Sequence, residues 1–221
     1  MTQNSLADLG LLGVGTSYDA LLEDSKREAR KMPLARIDLV KGEGEYCRAM
    51  AHHRIAKGGR MMRTAIGSDE SSELTDALIA ELEARGHEIV AFGPVANEEE
   101  SDWPLVCGQV AETVAVGEAD EGIVCCWTGT GASIAANKVP GIRAALVHDA
   151  QTARGARVWN HANVLALSLR ATPIPVMREI LDAWYETSFS EGEAQSDWNR
   201  RQIDRIRQLE EKYRQAEVKR S

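Results

Sequence analysis

The sequence predicts an α/β protein: a three-layer, doubly wound, Rossmann-like domain on a parallel sheet of about five strands, with helices on both faces and an additional C-terminal helix. Three observations carry that prediction. From residue 61 onward, short apolar runs alternate with segments whose apolar residues recur at helical spacing. The runs are apolar at successive positions, as strands covered on both faces are. A turn of small residues, "TGTGAS", follows the third run, where the carboxyl edge of such a sheet carries its ligand loops.

Taken in order, "MRTAIG" is the first expected strand. "SSELTDALIAELEARG" puts Leu74, Leu78, Ile79 and Leu82 at helical spacing, and Gly86 stops the helix. "EIVAFG" is the second strand, "WPLVCGQVAETVAVGEA" a helix and "EGIVCC" the third strand. "SIAANK" begins a helix, "IRAALV" is a strand, "DAQTARGARVWN" a helix, "NVLALS" the fifth strand and "PVMREILDAWYE" a helix. Crossovers between parallel strands are right-handed. The last helix, over about 195–218, repeats Ile203, Ile206, Leu209 and Tyr213 on an otherwise charged surface. That narrow stripe must be covered, either by its own domain or by a second subunit.

Residues 1–60 differ in character, with mixed charge and no regular period, and are expected as a loosely ordered extension to a domain over 61–221. "KGGRMM" ends in two methionines, and codons for Lys-Gly-Gly can double as a purine-rich ribosome-binding sequence. The functional chain is therefore expected to begin at Met61 or Met62.

Composition narrows the functional classes. At 43% hydrophobic and 27% charged, the chain suits one well-packed soluble domain. Its net charge of -8 excludes nucleic-acid binding by bulk electrostatics, because there is no basic excess to neutralise phosphates. Cys47, Cys107, Cys125 and Cys126 lack C-x-x-C spacing, so neither a zinc site nor a disulfide framework is expected. A reducing cytoplasm is the expected setting. No apolar run is long enough to span a bilayer, and the N-terminus lacks a secretory signal pattern.

The stretch "CCWTGTGASIAANK" carries the chemistry. In a strand, turn and helix of this composition, the amides of Gly129, Thr130 and Gly131 point into the pocket and form a nest that stabilises a developing oxyanion. Cys126, the last strand residue, stands beside that nest as a candidate base or nucleophile. A cysteine at a strand end is equally well explained as a small buried hydrophobe.

"GTGASIAANKVPGIRAALVHDAQTARGARVWNHANVLALSLR" and "IGSDESSELTDALIAELEARGHEIVAFG" resemble the family of type B ribose-5-phosphate isomerases and galactose-6-phosphate isomerase subunits, over roughly residues 62–209. The resemblance implies a homodimer, or a tetramer, with active sites at the interface. It implies no cofactor, no metal, and aldose–ketose isomerisation of a sugar phosphate through a cis-enediolate. Cys126 aligns with the family's cysteine base and Thr128 with the hydroxyl residue beside it. Ala132 stands where another branch has a glutamate base. Asp69 aligns with the acid that binds substrate hydroxyls and assists proton movement. Asn160 aligns with the amide of a His-Asn pair, and Arg170 with a phosphate-contacting arginine supplied at the dimer interface. Asp102 and Trp103 stand at the family's Asp-Tyr.

The departures bear on recognition. Glu70 stands where the family has histidine, Trp127 where it has glycine, and Trp159 where it has the histidine that opens the furanose ring. Trp198, Asn199 and Gln202 occupy the positions of an Arg-His-x-x-Arg phosphate clamp. Each lost arginine removes charge-assisted hydrogen bonds of about 1.5–3 kcal/mol. Arg200 and Arg201 are the candidate replacements, and His161 is the candidate replacement for the ring-opening acid; the alternatives are solvated helix arginines and a satisfied loop histidine. The tryptophans either stack on a sugar's apolar face or pack an interface. The expected activity is isomerisation of a sugar phosphate related to ribose 5-phosphate. The alternatives are an unphosphorylated or short open-chain substrate, or a non-catalytic ligand-binding relative. A dinucleotide site is not expected, because "EIVAFG" ends without the ribose-binding acid.

Overall fold

The computed structural model describes residues 61–188 and 192–218. The expectations for residues 1–60, including the chain start and Cys47, lie outside the described residues. Five strands, β1 (Arg63–Ser68), β2 (Glu88–Phe92), β3 (Glu121–Cys126), β4 (Ala144–Leu146) and β5 (Val164–Ser168), form one parallel sheet in the order β2-β1-β3-β5-β4. Among the described residues six α-helices accompany them: α1 (Glu73–Ala84), α2 (Trp103–Ala115), α3 (Thr130–Ala136), α4 (Ala150–Asn160), α5 (Ile174–Glu186) and α6 (Asp197–Val218).

Strand side chains alternate between faces, so each strand feeds two cores. Ile66, Ile123, Cys125, Leu165 and Leu167 pack with Leu74, Leu78 and Leu82 of α1, and with α4 and α5 around the fully buried Trp184. Ala65, Val124, Cys126, Val164 and Ala166 pack on the opposite side with Cys107, Val110, Ala111 and Val114 of α2 and Ala132 and Ala136 of α3. Burying each Leu-sized side chain contributes about 1.5–3 kcal/mol, which explains why the sheet reads as continuous apolar runs.

Helix ends follow local chemistry. Ser72 caps α1 with its hydroxyl on the Thr75 amide, while the Thr75 side chain accepts from the Ser72 amide. Pro104 sits in the first turn of α2, where a missing amide costs no intrahelical bond. The expected "SIAANK" helix starts three residues earlier, at Thr130, because Gly129 takes up the turn. The expected "IRAALV" strand shortens to Ala144–Leu146, an edge strand paired only with β5. On α6, Ile203 is buried, whereas Leu209 and Tyr213 are 54% and 63% exposed. Within one chain the stripe is therefore only partly covered. Among the described residues no helix is long and apolar enough to cross a membrane.

Candidate active site

The sheet order reverses between β1 and β3: β2 lies beyond β1 on one side, β5 and β4 beyond β3 on the other. Connections from their carboxyl ends diverge and open a crevice, the usual ligand position in such sheets. Asp69 follows β1 directly and Cys126 ends β3, with Ser68 in register with Cys125.

Alternation sends the two adjacent cysteines to opposite faces. Cys125 enters the α1, α4 and α5 layer, where burial raises its thiol well above the ordinary range. Cys126 enters the α2 and α3 layer beside the turn, and its Sγ accepts a hydrogen bond from the Ala132 amide at 3.4 Å. That amide is one of the first-turn donors of α3 that have no intrahelical acceptor. The first intrahelical bond runs from the Ser133 amide to the Gly129 carbonyl at 3.0 Å. The Gly129 amide, expected in the nest, is taken up by the turn itself and donates to the Cys126 carbonyl at 3.1 Å, whereas the amides of Thr130 and Gly131 have no acceptor among the described residues.

Glycine is required at the corner. Gly129 has φ +73°, and a Cβ there would lie 2.6 Å from Leu146 Cδ1 and 2.8 Å from the Leu167 carbonyl. At Gly131 a Cβ would meet the Trp103 ring at 3.2 Å, so that indole lies against the turn. Thr128 and Thr130 join their hydroxyls at 2.7 Å.

Asp69 Oδ1 is buried and has no hydrogen-bond partner among the described residues. Burial holds its carboxyl above the ordinary range; a backbone hydrogen bond opposes the shift, and the neighbouring Glu70, itself exposed, adds to it. A residue that sequence reasoning left out completes this corner. Burial pushes the Cys107 thiol up to about 12, with Cys126 and Asp69 adding to the rise. The signal was the helical spacing of Trp103, Cys107, Val110, Ala111 and Val114, which puts Cys107 on the sheet-facing side of α2.

The loop after β5 closes the same edge. The Leu169 amide donates to the Cys126 carbonyl at 3.0 Å, and the Arg170 amide to the Trp127 carbonyl at 3.1 Å. The Arg170 guanidinium carbon lies 6.0 Å from the centroid of the exposed Trp127 ring. Thus Asp69, Glu70, Trp127, Thr128, Gly129, Thr130, Gly131 and Arg170 all stand at the carboxyl edge with Cys126.

The remaining candidates stand elsewhere. α4 starts just beyond β4 and runs back 11 residues, about 16 Å, so Trp159 and Asn160 lie at the amino edge of the sheet. Trp159 meets Trp198 edge-on at 6.4 Å, and both rings are partly exposed. Asn160 lines a cavity of about 370 Å³ with Asn137, Arg143, Ile206 and Glu210. His161, in a left-handed conformation at the end of α4, places Nε2 2.8 Å from the Ala194 carbonyl and 3.0 Å from Asn199 Nδ2. Those contacts are those of a satisfied loop histidine. Arg200 pairs with Asp197, one turn back on α6, and Arg201 is exposed. Among the described residues, no three His, Cys, Asp or Glu side chains gather as a metal site would need.

A parallel α/β domain with a thiol, a partly buried carboxylate and a glycine turn at its switch point belongs to a class that handles small polar ligands at strand ends. Comparison with known proteins is more specific. The family model described as Ribose/Galactose Isomerase matches residues 64–203. The chain is 34% identical over 154 residues to ribose-5-P isomerase B of Listeria innocua, covering 69% of this chain and all of that one. It is 42% identical over 108 residues to galactose-6-phosphate isomerase subunit LacB of Clostridium acetobutylicum, covering 49% of this chain and 62% of that one. The solved ribose-5-phosphate isomerase B of Clostridium thermocellum superposes with a TM-score of 0.62 at 40% identity, over 69% of this chain and 99% of that one. The chain belongs to the ribose/galactose isomerase family.

Proposed function

We propose that the protein is an aldose–ketose isomerase acting on a sugar phosphate related to ribose 5-phosphate, through a cis-enediolate with Cys126 as base. The observation that carries this reading is the gathering, at one crevice, of the Cys126 sulfur with the buried Asp69 oxygen and the amides of Thr130 and Gly131, which have no partner among the described residues. Family membership gives that gathering its reaction class.

In this reading the Cys126 thiolate takes the proton from C2 of the aldose. The C–H electron pair becomes the C1–C2 double bond, and the carbonyl pair moves onto O1. Amides of the glycine turn and the Thr128 hydroxyl meet the developing charge on O1, the transition-state contact that lowers the barrier. Asp69 carries the hydroxyl proton from O2 to O1, and the Cys126 thiol returns its proton to C1, leaving the ketone at C2. A partly buried carboxyl with a raised pKa suits such a shuttle, since it must both accept and release a proton.

The reading includes a second copy of the chain. Asn160, which is to orient substrate hydroxyls, lies a helix length from Cys126 in its own chain, so a second subunit must supply it. Arg200 and Arg201 stand on the same remote side and reach a substrate only across the same interface.

Solvent deuterium incorporation, followed by NMR over pentose, tetrose and hexose phosphates and their free sugars, tests the reaction. Exchange at C1 or C2 is expected with a phosphorylated sugar, and Cys126→Ala is expected to lower it by about 10²-fold or more. Undiminished exchange in Cys126→Ala removes the cysteine from the mechanism. A second reading, a short open-chain sugar phosphate, is favoured by one observation: the His161 ring is already bonded to Ala194 and set against Asn199, so it is not turned to a substrate ring oxygen. Exchange confined to tetrose phosphates would select it.

A further inference from the structure

Trp127 stands directly after the candidate base, 59% exposed, an unusual place for a bare indole. Its backbone is fixed. The Trp127 carbonyl accepts from the Arg170 amide at 3.1 Å and from the Ser168 hydroxyl at 3.0 Å, and Ser168 Oγ in turn accepts from the Ala171 amide at 3.2 Å. The β3 end and the β5 loop are thereby stitched into one unit. Across that unit the Arg170 guanidinium sits over the indole at 6.0 Å, within the range of a cation–π contact.

What Arg170 lacks is as telling. Among the described residues its guanidinium has no carboxylate partner and no hydrogen-bond acceptor. Other arginines of the chain are held by Glu81, Glu121 or Asp197. A carboxylate that orients a guanidinium occupies its N–H groups and cancels its charge. An aromatic face orients the same plane and leaves all five donors and the full charge available to an incoming anion. The position, one loop from Cys126, is where the charged end of a substrate held at the glycine turn would emerge.

We propose that Trp127 is a positioning residue: its ring is the platform that holds Arg170 ready to receive the phosphate of the substrate, and it is not a stacking surface for the sugar. This rests on the proposed isomerase reading for the substrate and extends it to the means of anion recognition. The anion is bound bidentately by the guanidinium, the geometry in which arginine outperforms lysine. The pair thus supplies phosphate recognition from the same chain that carries the thiol.

The test uses the full chain and inorganic phosphate as probe, with binding followed by phosphorus NMR at constant ionic strength. Wild-type protein is expected to bind phosphate, and Arg170→Met to weaken binding tenfold or more. Removal of an exposed cation–π contact corresponds to about two- to fivefold, the expected loss in Trp127→Gly, while Trp127→Phe stays within about twofold of wild type. In the Arg170→Met background, Trp127→Gly is expected to have no further effect, because Trp127 acts through Arg170. With the sugar phosphate identified by deuterium exchange, Trp127→Gly should raise KM and leave kcat within about twofold.

Three results overturn the proposal: no phosphate binding by the wild type, phosphate binding unchanged in Trp127→Gly, or equal weakening by Trp127→Gly with and without Arg170. Failure of the isomerase reading shows separately, as absent exchange at C1 and C2, and leaves the phosphate measurement intact.

Discussion

At Asp69 the structure accepts a local cost. A carboxylate oxygen buried without a partner is unfavourable, and burial together with Glu70 raises its pKa above the ordinary value of 3.8. A carboxyl raised in the folded state favours folding below the unfolded value, near pH 4, and loses that contribution as the pH climbs through the folded value. Asp69→Asn is therefore expected to stabilise the protein at pH 7–8, by on the order of 1 kcal/mol once solvent screening at this half-exposed site is allowed for. That corresponds to roughly 2–4 °C in Tm for a domain of this size. The gain should shrink as the pH falls toward 4, where the wild-type carboxyl is itself neutral; a gap in Tm that does not change with pH would show that the charge is not its source. Loss of isotope exchange in the same variant would mark the instability as the counterpart of function. The place of Asp69 and Cys126 at the sheet edge was legible in the sequence because they follow or end apolar runs, whereas the role of Asp69 came only from the family resemblance. Cys107 was not, because its relation to Cys126 depends on how α2 crosses the sheet, a tertiary fact that helical spacing narrows to a face and no further.

At the scale of elements, the amino edge of β3 is tied to α4 and α5 by a buried ion pair. Glu121 accepts from Arg157 Nη2 and from Trp184 Nε1, both at 2.6 Å; Arg157 also donates to the Ala162 carbonyl at 2.8 Å and lies 4.8 Å from the Trp184 ring centre. The pair holds three elements in register at the end of the sheet opposite the thiol. Arg157→Met leaves Glu121 charged and buried and is expected to cost about 3–5 kcal/mol in denaturant unfolding, measured at fixed protomer concentration. Glu121→Leu with Arg157→Met should cost markedly less than Arg157→Met alone, since it leaves no unpaired charge. A double variant as unstable as the single one would show that packing, and not the orphaned charge, dominates. None of this network was legible in the sequence: Glu121 falls in the expected strand "EGIVCC" and Arg157 in the expected helix "DAQTARGARVWN", and a pairing across 36 positions has no local signature. Strand ends fared better, with "EGIVCC" matching β3 residue for residue, since apolar runs bounded by polar or glycine residues mark burial directly.

At the scale of the whole molecule, the proposed reading divides the candidate residues of one chain into two half-sites at opposite sheet edges. The thiol, Asp69 and Arg170 lie at the carboxyl edge; Trp159, Asn160 and the start of α6 lie at the amino edge, with Leu209 and Tyr213 uncovered farther along α6. In a two-fold symmetric dimer each surface meets its complement on the other copy, so two complete sites form from four halves. This arrangement makes a prediction that a single-chain site cannot satisfy. Cys126→Ala and Asn160→Ala, each expected to be nearly inactive alone, should regain activity when co-refolded in equal amounts. Half of the dimers are then mixed, and each mixed dimer carries one doubly altered site and one intact site, so the recovered exchange rate should be roughly a quarter of wild type for random pairing. The exchange assay of the substrate screen reads it directly, and sedimentation confirms that the mixture is dimeric. If the mixture stays as inactive as its components while forming dimers, Asn160 and Cys126 serve the same chain or Asn160 serves none. If neither variant alone is impaired, the assignment of the half-sites falls with it. Recovery near a quarter would place the partner's α4 end over the Cys126 crevice and explain why Trp159 and Trp198, half-exposed in one chain, are neighbours there.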